Sequence, residues 1–181
     1  MSLKHGLLGL LSVEGPTTGY NLDKFFKHSL NYFWQAKTSQ IYRELSSMES
    51  MGWLTSERVV QEEKPNKRVY SITPAGKAEL TDWLCLPVEN HGMKSAFLMR
   101  IFLGREVGKE QTLKLIREYR ERVIAASKVL EGPRSDIAAD EAEYPEHSKY
   151  WELTILHGEI SVKAAIEWAD KAIAILEESE E

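Results

Sequence analysis

The chain has one cysteine, Cys85, so no internal disulfide can form and cysteine cannot build a metal site by itself. The cytosol is the natural compartment for such a sequence. No apolar run is long enough to span a bilayer. The Leu7–Leu11 stretch near the start lacks the length and cleavage pattern of a secretory signal and reads as a first core helix. Enzyme signatures are missing too: there is no His-Glu-x-x-His, no phosphate-cradling glycine loop and no Gly-x-Ser-x-Gly. His5, His28, His91, His147 and His157 are scattered. His147 and His157 share a presumed helix but lie about 100° out of phase, which does not make a metal pair. Neither catalysis nor a cofactor is expected.

Positive charge is also scarce overall, with a net of -5 over 181 residues. The deficit is unevenly placed. Residues 1–84 hold 10 Lys/Arg against 9 Asp/Glu, whereas residues 85–181 hold 13 against 19. The front half can therefore set cations locally against phosphates while the acidic back half faces elsewhere.

What the chain does have is ordered helical patterning. Leu3–Ser12 is apolar on most sides. Gly15–Pro16 turns the chain, and Thr17 or Thr18 starts a second helix through about Ser29. A third helix over about 38–51 places Ile41, Leu45 and Met48 on one stripe, with Thr38 or Ser39 as its cap and Gly52 as its stop. Its other face carries Ser39, Arg43, Ser46, Ser47 and Ser50, flanked by Gln40 and Tyr42. A solvated face more often carries long Lys and Glu side chains. Small hydroxyls around one arginine suit a helix that lies close against a partner, and a DNA major groove admits such a helix.

Thr55–Gln61 and Lys67–Thr73 read as strands joined by a turn at 62–66. Three helices followed by a hairpin is the order of a winged helix-turn-helix. Thr73–Pro74 then starts a helix to about Leu86. The remainder reads as wholly helical: 93–103, Lys109 to about Glu131, a polar and acidic stretch over 134–145 that is a loop or a weakly packed extension of the helix, and Glu146–Glu178. The predicted fold is mainly α with a small β-hairpin, a winged domain over 1–87 and an all-helical dimerisation domain over 88–181. The last two helices carry apolar stripes that one short helix cannot cover, so a second copy of the chain is the economical partner.

Three stretches together resemble the PadR family of bacterial transcriptional regulators: LLGLLSVEGPTTGYNLDKFF (7–26), YFWQAKTSQIYRELSSMESMGWL (32–54) and KRVYSITPAGKAELTDWL (67–84). The back half resembles the AphA-like helical domain of the longer subfamily. The resemblance implies a homodimer that binds a palindromic operator, represses more often than it activates, and in some members releases DNA on binding a ligand. Two departures are visible: Thr18 stands where many members have His before the Gly-Tyr pair, and the wing tip KPNKR lacks a frequent Gly.

The candidate DNA-binding residues are Tyr20, Thr38, Ser39, Gln40, Tyr42 and Arg43 around the third helix, with Lys64, Asn66, Lys67 and Arg68 in the wing. Arg43 can read guanine O6 and N7 or hold a phosphate, and Gln40 can read adenine. The wing cations are positioning charges. Trp34, Trp53, Trp83, Phe97, Phe102 and Trp151 are either core aromatics or the lining of a pocket for a small aromatic or apolar effector. The competing functional class is a helical protein-interaction adaptor whose winged domain does not read DNA, a reading that the near-neutral front half keeps open.

Overall fold

A computed structural model of the chain describes residues 2–60, 66–88, 94–128, 132 and 144–178. Of the expected turn at 62–66, positions 62–65, with Lys64, lie outside the described residues. So do positions 89–93 and, of the polar stretch at 134–145, positions 134–143. The described chain forms two compact units, Met1–Glu89 and Asn90–Glu181.

In the first unit, helices α1 (Ser2–Glu14), α2 (Gly19–Ser29) and α3 (Thr38–Ser50) meet around one core. Leu7, Leu8 and Leu11 come from α1, Leu22 and Phe26 from α2, and Ile41, Leu45 and Met48 from α3; all are buried. Spacings of three and four put each set on one face of its helix, so every helix has a single apolar side to hide.

The α3 stop is complete. Gly52 takes φ +75, its N–H donates to the Glu49 carbonyl at 3.0 Å, and the Trp53 N–H donates to the Met48 carbonyl at 2.9 Å. These are the paired bonds of a Schellman ending, and a left-handed residue there favours glycine. The start of α3 differs from expectation. Lys37, not Thr38 or Ser39, is the N-cap residue, and the Gln40 side chain reaches back to accept from the Lys37 N–H at 2.8 Å. Thr38 and Ser39 lie inside the first turn, and the Thr38 hydroxyl is bonded elsewhere.

The hairpin is β2 (Leu54–Val59) and β3 (Lys67–Ile72), antiparallel with Arg58 opposite Arg68 and Ser56 opposite Tyr70. A further strand, β1 (Thr17–Thr18), pairs with the other edge of β3, giving the order β1-β3-β2. Thr18 serves twice, since its hydroxyl also accepts from the Asn21 N–H at 3.2 Å and caps α2.

Helix α4 (Pro74–Cys85) starts with Thr73 as cap, accepting from the Gly76 N–H at 3.0 Å. Gly76 is required by contact: a Cβ there would run into the Trp53 carbonyl. His5 is buried, stacks on Trp83 with centroids 4.4 Å apart, and holds Glu79 through Nε2 at 3.1 Å, which fastens α1 to α4.

The second unit is helical throughout its described residues: α5 (Ala96–Phe102), a 3-10 turn (Gly104–Glu106), α6 (Lys109–Ser127) and α7 (Pro145–Glu178). Helices α6 and α7 pack side by side with ion pairs Arg117–Glu177 and Arg120–Asp170, each at 2.6 Å. These pairs run in opposite sense along the two helices, which are therefore antiparallel. Between them Phe97 stacks on Tyr119 at 4.3 Å, and Trp168 closes edge-on at 5.6 Å and 5.8 Å. Leu113, Ile116, Ile155 and Ala169 are the buried apolar residues among those described in this unit. The α7 face away from them leaves Tyr150, Leu153, Leu156 and Ile160 exposed at helical spacing.

Candidate nucleic-acid interface

The outer face of α3 is set by its inner one. With Ile41, Leu45 and Met48 pinned in the core, Ser39, Tyr42, Arg43 and Ser46 must turn outward, and all four are exposed. Arg43 has no hydrogen-bond or ion-pair partner among the described residues, so its five donors remain available to a ligand. The serines are less available than their number suggests. The Ser46 hydroxyl donates to the Tyr42 carbonyl at 3.2 Å, and the Ser50 hydroxyl donates to the Ser47 carbonyl at 2.7 Å. Such back-bonding removes two hydroxyl donors from the face and leaves it small and smooth.

A polar joint fixes α3 against α2. The Lys27 ammonium donates to Asp23 Oδ2 at 2.6 Å and to the Thr38 hydroxyl at 2.8 Å, while that hydroxyl donates to the same carboxylate oxygen at 3.2 Å. Thr38 is thus engaged within the protein. The other oxygen of Asp23, Oδ1, is buried with no hydrogen-bond partner among the described residues. Gly19 lets the start of α2 approach α3 closely, since a Cβ there would press on the Tyr42 ring. Burial raises the Tyr42 phenol above its ordinary pKa, with Asp23 and Tyr70 adding to the effect. The phenol therefore stays protonated and able to donate.

Tyr20, on the first turn of α2, is 71% exposed, which leaves its hydroxyl free to reach a neighbouring surface. Lys24 follows at a spacing of four, so α2 presents a phenol and one cation on that side, while Lys27, three further on, is held by Asp23 and Thr38. Lys24 was legible as that spacing and yet absent from the expected site. Gln40 is spent on the start of α3, half-buried and bonded to the Lys37 N–H.

In the wing, Asn66 and Lys67 are exposed. Together with Arg58 and Arg68 they line an open hollow of about 440 Å³. Arg58 was not among the expected residues. It stands opposite Arg68 in the ladder and has no partner among the described residues. Arg68 is tied down: it donates to both oxygens of Glu49 and to the Ser56 hydroxyl.

The six aromatics expected near an effector fall into separate groups within their units. Trp53 and Trp83 flank His5, with Trp53 at 6.4 Å. Phe97 belongs to the Tyr119–Trp168 cluster, and Trp151 lies beside Tyr144 and His147. Trp34 and Phe102 are exposed at 40% and 88%, so neither is a core residue of its own unit. Among the described residues there is no group of three potential metal ligands, and no helix is long and apolar enough to cross a membrane.

Comparison with known proteins covers nearly the whole chain. Residues 7–82 match the model of the transcriptional regulator PadR-like family, and residues 93–177 match the virulence activator alpha C-terminal model. The negative transcriptional regulator PadR of Bacillus subtilis is 29% identical over 97% of each chain. Its crystal structure in complex with operator DNA superposes with a TM-score of 0.81 at 26% identity, covering 97% of this chain and 99% of that one. Its complex with p-coumaric acid gives 0.75 at 25% identity, covering 98% and 96%. The Vibrio cholerae virulence activator AphA gives 0.77 at 29% identity, covering 97% and 98%.

Proposed function

We propose, from the premise that this chain belongs to the PadR-like family of transcriptional regulators, that it is a sequence-specific DNA-binding repressor acting as a homodimer. The observation that carries this reading is Arg43, exposed and without a partner among the described residues, on a smooth helix face in a fold shared with an operator-bound relative. The α3 helix enters the major groove. Arg43 and Ser39 face base edges there, while Tyr20, Tyr42, Lys67 and Arg58 face the flanking phosphates. Residues 1–87 form the reading domain and residues 88–181 the dimer domain. Helix α7 supplies the second copy with the stripe Tyr150, Leu153, Leu156 and Ile160.

Selection of bound fragments from a genomic library tests the reading. An inverted repeat with half-sites about one helical turn apart, or a multiple of it, is the expected product. Enrichment of no site would leave the winged domain without a DNA sequence to read. Dimerisation has its own test. Ile160→Glu places a charge in the exposed stripe and is expected to give a monomer in sedimentation while helicity is retained. Affinity for the full operator should then fall by a factor on the order of 10²–10⁴, because the second half-site is no longer tethered. A dimer that survives this change removes the stripe from the interface.

The relative's complex with p-coumaric acid supports a small aromatic effector for this chain as well. Trp34, Trp53, Trp83, Phe97, Phe102 and Trp151 are the candidate contacts, and release of DNA would follow if the ligand changes the separation of the two α3 helices.

A further inference from the structure

The two arginines that face each other across the hairpin do different work. Arg58 and Arg68 occupy opposite positions of one rung, and Ser56 and Tyr70 occupy another rung on the same sheet face. Two like charges directly opposite repel unless one is neutralised. Arg68 is the neutralised one. Its Nη2 donates to Glu49 Oε1 at 2.8 Å and Oε2 at 2.6 Å, and its Nε donates to the Ser56 hydroxyl at 2.6 Å. That hydroxyl donates in turn to Glu49 Oε1 at 2.6 Å. The guanidinium also lies over the Tyr70 ring, 5.4 Å from its centroid, and Tyr70 is part of the core. Glu49 sits in the last turn of α3, where the helix dipole disfavours an anion that lacks a cation beside it. For Arg68 to reach a phosphate it would have to abandon three donated hydrogen bonds and leave Glu49 facing the DNA.

We propose that Arg68 is a positioning residue that sets the angle between the recognition helix and the wing through Glu49 and Ser56, and that Arg58 is the wing arginine that meets phosphate. The proposal rests on the DNA-binding reading above. The strut joins the end of α3 to both strands of the hairpin at one point. It therefore fixes how far the wing stands from the helix that reads the bases, whereas Arg58 on the same rung has no charge partner among the described residues. The Arg68–Glu49 pair is partly exposed, at 52% and 27% of the side chains, so solvent screens its contribution to stability and leaves geometry as its main effect.

The test compares the wild type with Glu49→Gln, Arg68→Gln, Arg58→Gln and the exchange Glu49→Arg with Arg68→Glu. Binding to the selected operator and to a random duplex is measured over a salt series, beside thermal unfolding. Glu49→Gln and Arg68→Gln should each weaken operator binding by a similar factor, on the order of tenfold, with the salt slope unchanged. The exchange, which keeps the net charge, should recover most of that loss. Arg58→Gln should weaken both duplexes equally and reduce the slope by about 0.9, the signature of one lost phosphate contact.

Tighter binding by Glu49→Gln would overturn the proposal, because a freed Arg68 would then be adding a phosphate contact. A slope reduced by Arg68→Gln would overturn it as well. The sign of the Glu49→Gln effect decides even if the exchange variant does not fold. A wild type that prefers no site would fail the DNA-binding reading itself, a result separable from any of these.

Discussion

Arg43→Ala should cost this protein its preferred site while leaving its grip on DNA in general nearly intact. A bidentate arginine–guanine contact contributes about 1–3 kcal/mol of discrimination, so affinity for the selected operator should fall by roughly 5- to 150-fold. Random duplex should be bound almost as before, with the salt slope lowered by less than one phosphate contact. The expectation comes from isolation: Arg43 is exposed, without a partner among the described residues, and flanked by serines turned back onto their own helix. No described residue pairs with its charge, so thermal unfolding should be unmoved. Competition titrations with operator and random duplexes check this. An equal loss on both would make Arg43 a phosphate contact.

Leu45→Ala acts on the same helix from the other side. Leu45 is fully buried between Ile41 and Met48 in a core shared by α1, α2, β2 and β3. Truncating it removes transfer energy and leaves a cavity, for a loss of about 2–5 kcal/mol. Domains carry a total stability on the order of 5–15 kcal/mol, so this loss takes a large share of it and should lower the unfolding midpoint markedly. Urea titration followed by circular dichroism is the measurement. A loss below about 1 kcal/mol would mean that the three-helix core collapses around the gap. Together the two substitutions separate recognition from scaffold within one turn of one helix.

The helices were legible because each carries one apolar stripe at a spacing of three or four and ends on glycine, proline or a capping threonine. The α3 stop at Gly52 and the α4 start at Thr73–Pro74 follow from local chemistry alone. The fold class and the family followed from the order of these local signals. What escaped was non-local. Strand β1 has two residues, too few to show any alternation, and exists because β3 offers it an edge. The partnership of Arg68 with Glu49 spans nineteen positions and is invisible until the hairpin folds back toward α3. Thr38 has the composition of a helix cap, yet an aspartate and a lysine from α2 claim its hydroxyl and Lys37 takes the cap position. The serine-rich face was read as small enough to lie close against a partner, but residue types alone do not show that backbone carbonyls one turn away take up the Ser46 and Ser50 hydroxyls.

The three-stranded order β1-β3-β2 has a mechanical consequence. Strand β3 is held on both edges at Val69 and Tyr70 and on one edge only at Lys67 and Arg68. The wing is therefore a cantilever whose fixed end is the Val69 rung. Arg68, one residue beyond that fulcrum, is where a brace has the shortest arm, so it carries the largest load and a small shift there is magnified at the tip. A force on Lys67 therefore loads the Arg68–Glu49 contact first, so a push on the wing is passed to the end of α3 and is not absorbed in the hairpin alone.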